Sequence, residues 1–143
     1  MLSSDVTMKK PRAGAIPFFV KDGVARVKVM KPSDPDYGGT EWQMAKGEID
    51  PGQDAESTAM KEAHEEVGLV PDNIARWWFL TNHNGIYVYA AEIVNPDSFA
   101  QPHWETGAAT WLSLPDQLGQ IRQDQQPAFD KLLKQLDIST DKI

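Results

Sequence analysis

The chain has 143 residues, 41% of them hydrophobic and 9% aromatic, and 21 acidic side chains against 14 basic ones give a net charge of −7. That length suits one domain with a core of its own, and the acidic balance argues against a broad grip on long nucleic acid, which runs on clustered Lys and Arg. The absence of cysteine excludes disulfides, thiolate metal sites and thiol catalysis.

Residues 1–11 read as a loose, flexible tail without the apolar centre of a signal peptide, and 12–143 as a single domain. No apolar run reaches membrane-spanning length, so a cytoplasmic protein is the default expectation. AGAIPFFV (13–20) and VARVKVM (24–30), joined by KDG, read as a hairpin. KPSDPDYGGTE (31–41) is a long loop, a kind of segment that often carries function. WQMAKGEI (42–49) mixes strand and loop.

A helix is predicted from Asp54, whose carboxylate suits the N-cap, to about Val67, with Gly68 as its left-handed stop. Ala59, Met60, Ala63 and Val67 recur at helical spacing and form its buried side. ARWWFLT (75–81) and GIYVYAAEIV (85–94) read as strands joined by NHN (82–84). A loop over 95–107 leads to a short strand at 108–114 and a helical turn in PDQLGQI. The last element is an amphipathic helix over 124–137, with Phe129, Leu132, Leu133 and Leu136 on one face. Strands interspersed with two main helices predict one α/β or α+β domain with a mixed sheet.

KEAHEEVGLV (61–70) carries the chemistry. At about 100° per residue, Glu62, Glu65 and Glu66 fall within an arc of about 100° that borders the apolar stripe. Clustered carboxylate oxygens suit Mg2+, Mn2+ or Ca2+; a solvated acidic face is the alternative. The longer stretch GEIDPGQDAESTAMKEAHEEVGL (47–69) resembles the signature of the Nudix hydrolases. Gly47, Glu62, Glu65, Glu66 and Gly68 stand at the fixed positions of that signature, with its spacing preserved. An AGAI strand, a Trp ahead of a Lys–Gly pair, and a late Glu before a Trp-containing strand extend the likeness over about residues 12–137.

The resemblance implies an α/β/α sandwich around a mixed sheet, with the signature as loop–helix–loop. It implies hydrolysis of a diphosphate bond in a nucleoside diphosphate derivative, with Mg2+ or Mn2+ held by Glu62, Glu65, Glu66 and the Gly47 carbonyl. Such cations neutralise the phosphates and acidify the attacking water. Glu62 and Glu105 are the two candidates for general base. Two positions depart from the family pattern: Gln53 replaces a Glu, and Lys61 replaces an Arg that orients the carboxylates, keeping its charge without the planar fork.

W-Q-M-x-x-G (42–47) is similar to dinucleoside polyphosphate hydrolases and RNA 5′-pyrophosphohydrolases, which carry Pro where this chain has Ala45. Trp42 and Tyr37 are candidates to stack on a base, with ordinary packing as the alternative. Lys46 is a candidate for phosphate contact or a solvated lysine. Trp77 and Trp78 point to opposite sides of a strand, so at most one lines a site. Tyr87 and Tyr89 share a face and read as core, His64 reads as a surface residue, and His83 has no assigned role. The expected partner is a small nucleotide, with no membrane. Family members often form homodimers, though no exposed stripe here demands one. A non-cleaving nucleotide-binding module, and a structural domain with an acidic face, are the competing functions.

Overall fold

The computed structural model describes residues 10–37, 39–103 and 106–138; the tail expected over 1–11 therefore lies outside the described residues except for 10 and 11. The described residues form strands β1 Arg12–Lys21, β2 Val24–Pro32, β3 Ala45–Glu48, β4 Ile74–His83, β5 Ile86–Ile93 and β6 Thr106–Leu114. Helices α1 Ala55–Val67 and α2 Gln126–Gln135 complete them, with short 3-10 turns between.

Two-residue turns set both hairpins. Asp22 and Gly23 (φ 56° and 77°) link β1 to β2, and Asn84 and Gly85 (φ 51° and 82°) link β4 to β5. Positive φ at both central residues is the primed turn that matches strand twist, and Asp-Gly and Asn-Gly adopt it with least strain. This corrects the joint expected at 82–84: Asn82 and His83 pair with Tyr87 and Ile86, so β4 runs through them and the turn is Asn84–Gly85.

The sheet order is β4-β5-β1-β2-β6, with β3 also on β1. β1 runs parallel to β5 on one side. On its other side the partner changes. Arg12–Ala15 pair with β3, and Phe18–Lys21 pair with β2. Pro17, which has no N–H to donate, stands between the two ladders. The sheet therefore forks, and among the described residues no strand pairs with the outer side of β3.

Alternation along the strands splits the core in two. Ile16, Phe18, Val27, Val29 and Val88 pack under Phe129, Leu132 and Leu133 of α2. Ala13, Ala15, Ala45 and Ala91 pack under Ala59, Ala63 and Val67 of α1. A helix on each face gives the α/β/α sandwich. The alanine floor brings α1 close to the sheet, which matters for the site.

Candidate active site

Local chemistry fixes both ends of α1. The Asp54 carboxylate accepts the Ser57 N–H at 2.6 Å, and Gly68 adopts φ 77° to end the helix. Between those ends Glu62 and Glu66 flank the buried stripe on the β3 side.

β3 meets them with the edge that faces away from β1. The Ile49 N–H donates to the Pro11 carbonyl at 3.0 Å, so residues 49 and 47 direct their backbone groups toward β1. Lys46 has the opposite parity, and its N–H donates to Glu66 Oε1 at 3.2 Å. Its carbonyl points the same way, to the free edge. The carbonyl available to a ligand is thus that of Lys46, and not that of Gly47 as expected, because the Gly47 carbonyl turns into the ladder. Gly47 matters for another reason: a Cβ there would overlap the Glu62 carboxyl.

Glu66 is largely buried and hydrogen-bonded to Glu62. Burial, then that bond, then the Glu62 charge push its carboxyl up to about 8, against the pull of the Lys46 N–H and ammonium. Near neutral pH a proton therefore holds the two carboxylates together. Among the described residues no three His, Asp or Glu side chains gather in a set fit to hold an ion. Of the three glutamates, Glu62 and Glu66 are the two in contact with each other. Glu65 is turned about 100° from Glu66 around the helix axis, on the far side of Glu62.

On the α2 side of the same edge, Lys46 Nζ donates to Gln43 Oε1 at 3.1 Å. Burial lowers the Lys46 pKa, and the nearby Arg12 and Arg122 lower it further, while Glu66 and Asp124 act in the opposite sense. Arg122 is held by a two-pronged bond to Asp124 at 2.9 and 3.1 Å. Three cations thus stand on one side of the edge and two carboxylates on the other. Arg12 and Arg122 escaped the sequence reading: Arg12 stands at the boundary just past the expected tail, and Arg122 is brought to the site by the pairing of Trp42 with Ile121.

Trp42 is half-buried, packs on the α2-side core, and carries the Lys31 ammonium over its ring at 4.4 Å. Tyr37 ends the 3-10 turn Pro35–Tyr37; its side chain, like Glu105, lies outside the described residues. Lys61 is exposed and, with Gln53, Glu48 and Asp50, lines a 280 Å³ depression. The two departures from the family pattern therefore sit together, away from the Glu62–Glu66 contact. Trp77 and Trp78 do take opposite faces: Trp77 stacks on Tyr89 and donates to Glu56, and Trp78 packs edge-on to Phe18 and donates to Gln135. His64 is exposed, and His83 contacts the Asp124 carbonyl.

A family model described as the NUDIX domain matches residues 8–134. RNA pyrophosphohydrolases of Pseudoalteromonas atlantica and Pseudoalteromonas translucida are 47% and 45% identical over 38 residues, 27% of this chain. Those matches span 22% of each of the two proteins. Among solved structures, the binary complex of a C. elegans Ap4A hydrolase superposes with a TM-score of 0.72 at 20% identity, covering 90% of this chain and 98% of that one. The NUDIX domain of Shewanella oneidensis NrtR, complexed with ADP ribose, gives 0.72 at 17% identity, covering 94% and 92%.

Proposed function

The chain belongs to the NUDIX family, and from that premise we propose that it is a metal-dependent pyrophosphohydrolase that cleaves a diphosphate bond in a nucleotide at the free edge of β3. The observation that carries this reading is Glu66, half-buried and bonded at once to the Lys46 N–H and to Glu62. A divalent cation is the natural replacement for the proton that these carboxylates share, because metal ligands bind deprotonated. An all-oxygen donor set of Glu62, Glu66 and the Lys46 carbonyl suits Mg2+ or Mn2+. Glu65, on the same helix face beyond Glu62, is the further carboxylate of that set. When bound, such an ion neutralises bridging phosphate and acidifies water.

The chain's own residues do the rest. Lys46, with Arg12 and Arg122 beside it, draws the phosphates of the substrate to an otherwise acidic protein. Gly47 leaves room for Glu62 to lie against the strand. Glu62 or Glu105 takes the proton of the attacking water, and Trp42 and Tyr37 flank the nucleoside. Lys61 has only a remote influence on the carboxylates. The Ap4A hydrolase likeness and the short match to RNA pyrophosphohydrolases favour a dinucleoside polyphosphate, then a 5′-polyphosphate end, as substrate. A panel of diphosphate-linked nucleotides, incubated with Mg2+ or Mn2+ and scored for mononucleotide or phosphate release, tests it. Hydrolysis of at least one is expected. Metal binding without turnover on any of them would favour the non-cleaving binding module.

A further inference from the structure

The last carbonyls of a helix have no partner within it. In α1, two are closed locally: the Gly68 N–H donates to the His64 carbonyl at 3.0 Å, and the Leu69 N–H to Ala63 at 3.2 Å. The next two along the chain belong to site glutamates and are closed from outside. The His103 N–H donates to the Glu65 carbonyl at 2.6 Å. The Thr106 hydroxyl donates to the Glu66 carbonyl at 2.8 Å.

The same loop makes a further contact. The Ala100 N–H donates to the Gly68 carbonyl at 2.8 Å, and a Cβ on Gly68 would overlap the Ala100 carbonyl. The start of the loop is anchored by Asn73, a buried side chain that donates to the Asn95 and Ser98 carbonyls and accepts the Asn95 N–H. The segment is therefore fastened at one end to Asn73 and at the other to the backbone of Glu65 and Glu66. Thr106 acts in this fastening through its side chain, directly on a site residue. Its own N–H is engaged with the His103 carbonyl, which leaves the hydroxyl to serve α1.

We propose that Thr106 is a positioning residue for the reaction: its hydroxyl fixes the rotation of the final turn of α1, and so holds Glu66 at the Lys46 N–H and against Glu62. The inference rests on the pyrophosphohydrolase reading of that pair. Thr106→Val keeps the β-branched shape and removes the donor, Thr106→Ala removes it by a second route, and Thr106→Ser restores it. Partners of this outer kind alter metal affinity or activity by about 10–100-fold. With the best nucleotide substrate, Val and Ala should lower kcat by about tenfold or more with little change in KM, and Ser should recover most of the loss. Calorimetric titration with Mn2+ should show affinity falling in Val and Ala and returning in Ser. Amide exchange at Gly68 and Leu69 should quicken in the metal-free Val variant. Wild-type kcat and wild-type Mn2+ affinity in both Val and Ala would overturn the assignment. If the wild type binds Mn2+ but hydrolyses nothing, the hydrolase reading fails, while the Mn2+ affinities of Val and Ser still decide the role of Thr106. A wild type that binds no Mn2+ sinks both.

Discussion

The two flanks of α1 rest on the same alanine floor and differ in what they meet. On the β4–β5 flank, Trp77 stacks on Tyr89 at 5.1 Å, Phe79 meets Tyr89 edge-on at 5.6 Å, and Glu56 accepts the Trp77 N–H. β4 is also an edge strand, but there the rings pack on one another, with Phe79 half exposed. On the β3 flank the strand has a free edge, and Glu66 and Glu62 press two carboxylates against it. The first flank stabilises. The second holds a half-buried acid whose pKa burial and Glu62 raise more than the Lys46 charge lowers it. The difference lies in what meets the edge: stacked rings on one flank, and on the other a glutamate that takes the Lys46 N–H.

The sharpest way to break the contrast is Glu66→Gln. It removes the charge and keeps the size. Turnover should fall by about 100-fold or more, the upper end of what even outer partners of a metal cost, while the melting temperature is kept or raised, since a neutral side chain suits the burial. Steady-state kinetics beside a thermal melt checks both halves. Gly47→Ala attacks the same contact from the strand. Its Cβ would displace the Glu62 carboxyl, and displacements of about 1 Å can cost about 100-fold. An unchanged kcat in this variant would remove Glu62 from the site.

The acid pair also sets a pH signature. The folded Glu66 carboxyl titrates at about 8 against an ordinary value of 4.5. Between those values the folded chain binds more protons than the unfolded one, so stability falls as pH rises through that window and levels off above it. In chelator-treated protein the melting temperature should drop from pH 5 to about 8. Saturating Mg2+ should reverse the trend, because cation affinity grows as the proton leaves. Equal pH slopes with and without Mg2+ would show that the pair does not bind the ion.

Much of the acid flank was legible in the sequence because it depends on local periodicity. The N-cap at Asp54, the stop at Gly68 and the placing of Glu62 and Glu66 beside the apolar stripe all follow from 3.6-residue geometry. What local pattern lacks is strand pairing. Which carbonyl of Lys46–Gly47 faces out depends on the register with β1. Arg12, Arg122, Asn73 and Thr106 reach the site only through contacts between residues distant in sequence. The aromatic flank was read for its alternation, which placed Trp77 and Trp78 on opposite faces, but its bond to Glu56 joins residues 21 apart.

Trp77→Ala tests whether the aromatic flank is independent of the chemistry. It removes the stack on Tyr89 and the bond to Glu56, at a cost of about 1–3 kcal/mol in stability. Changes at separated sites act nearly independently, so kcat should stay within about threefold of wild type. Chemical denaturation and turnover assays on one preparation separate the two effects, and a parallel loss of both would mean that α1 transmits strain between its flanks.

The smallest effect is expected at the position where the chain leaves its family's pattern. Lys61 is exposed and faces the depression shared with Gln53, Glu48 and Asp50, on the opposite side of Glu62 from Glu66. Lys61→Arg restores the planar fork, yet an exposed charge interacts through solvent and is worth about 1 kcal/mol or less. Turnover should therefore change by less than about fivefold. The double variant Gln53→Glu, Lys61→Arg places a carboxylate beside the fork, and it separates two accounts of this corner. If the depression is merely a solvated margin, the pair of changes stays within the same limit. If it steers the acid helix from outside, the double variant gains more than the single changes combined, and the comparison of flanks must be widened to include a third face of α1.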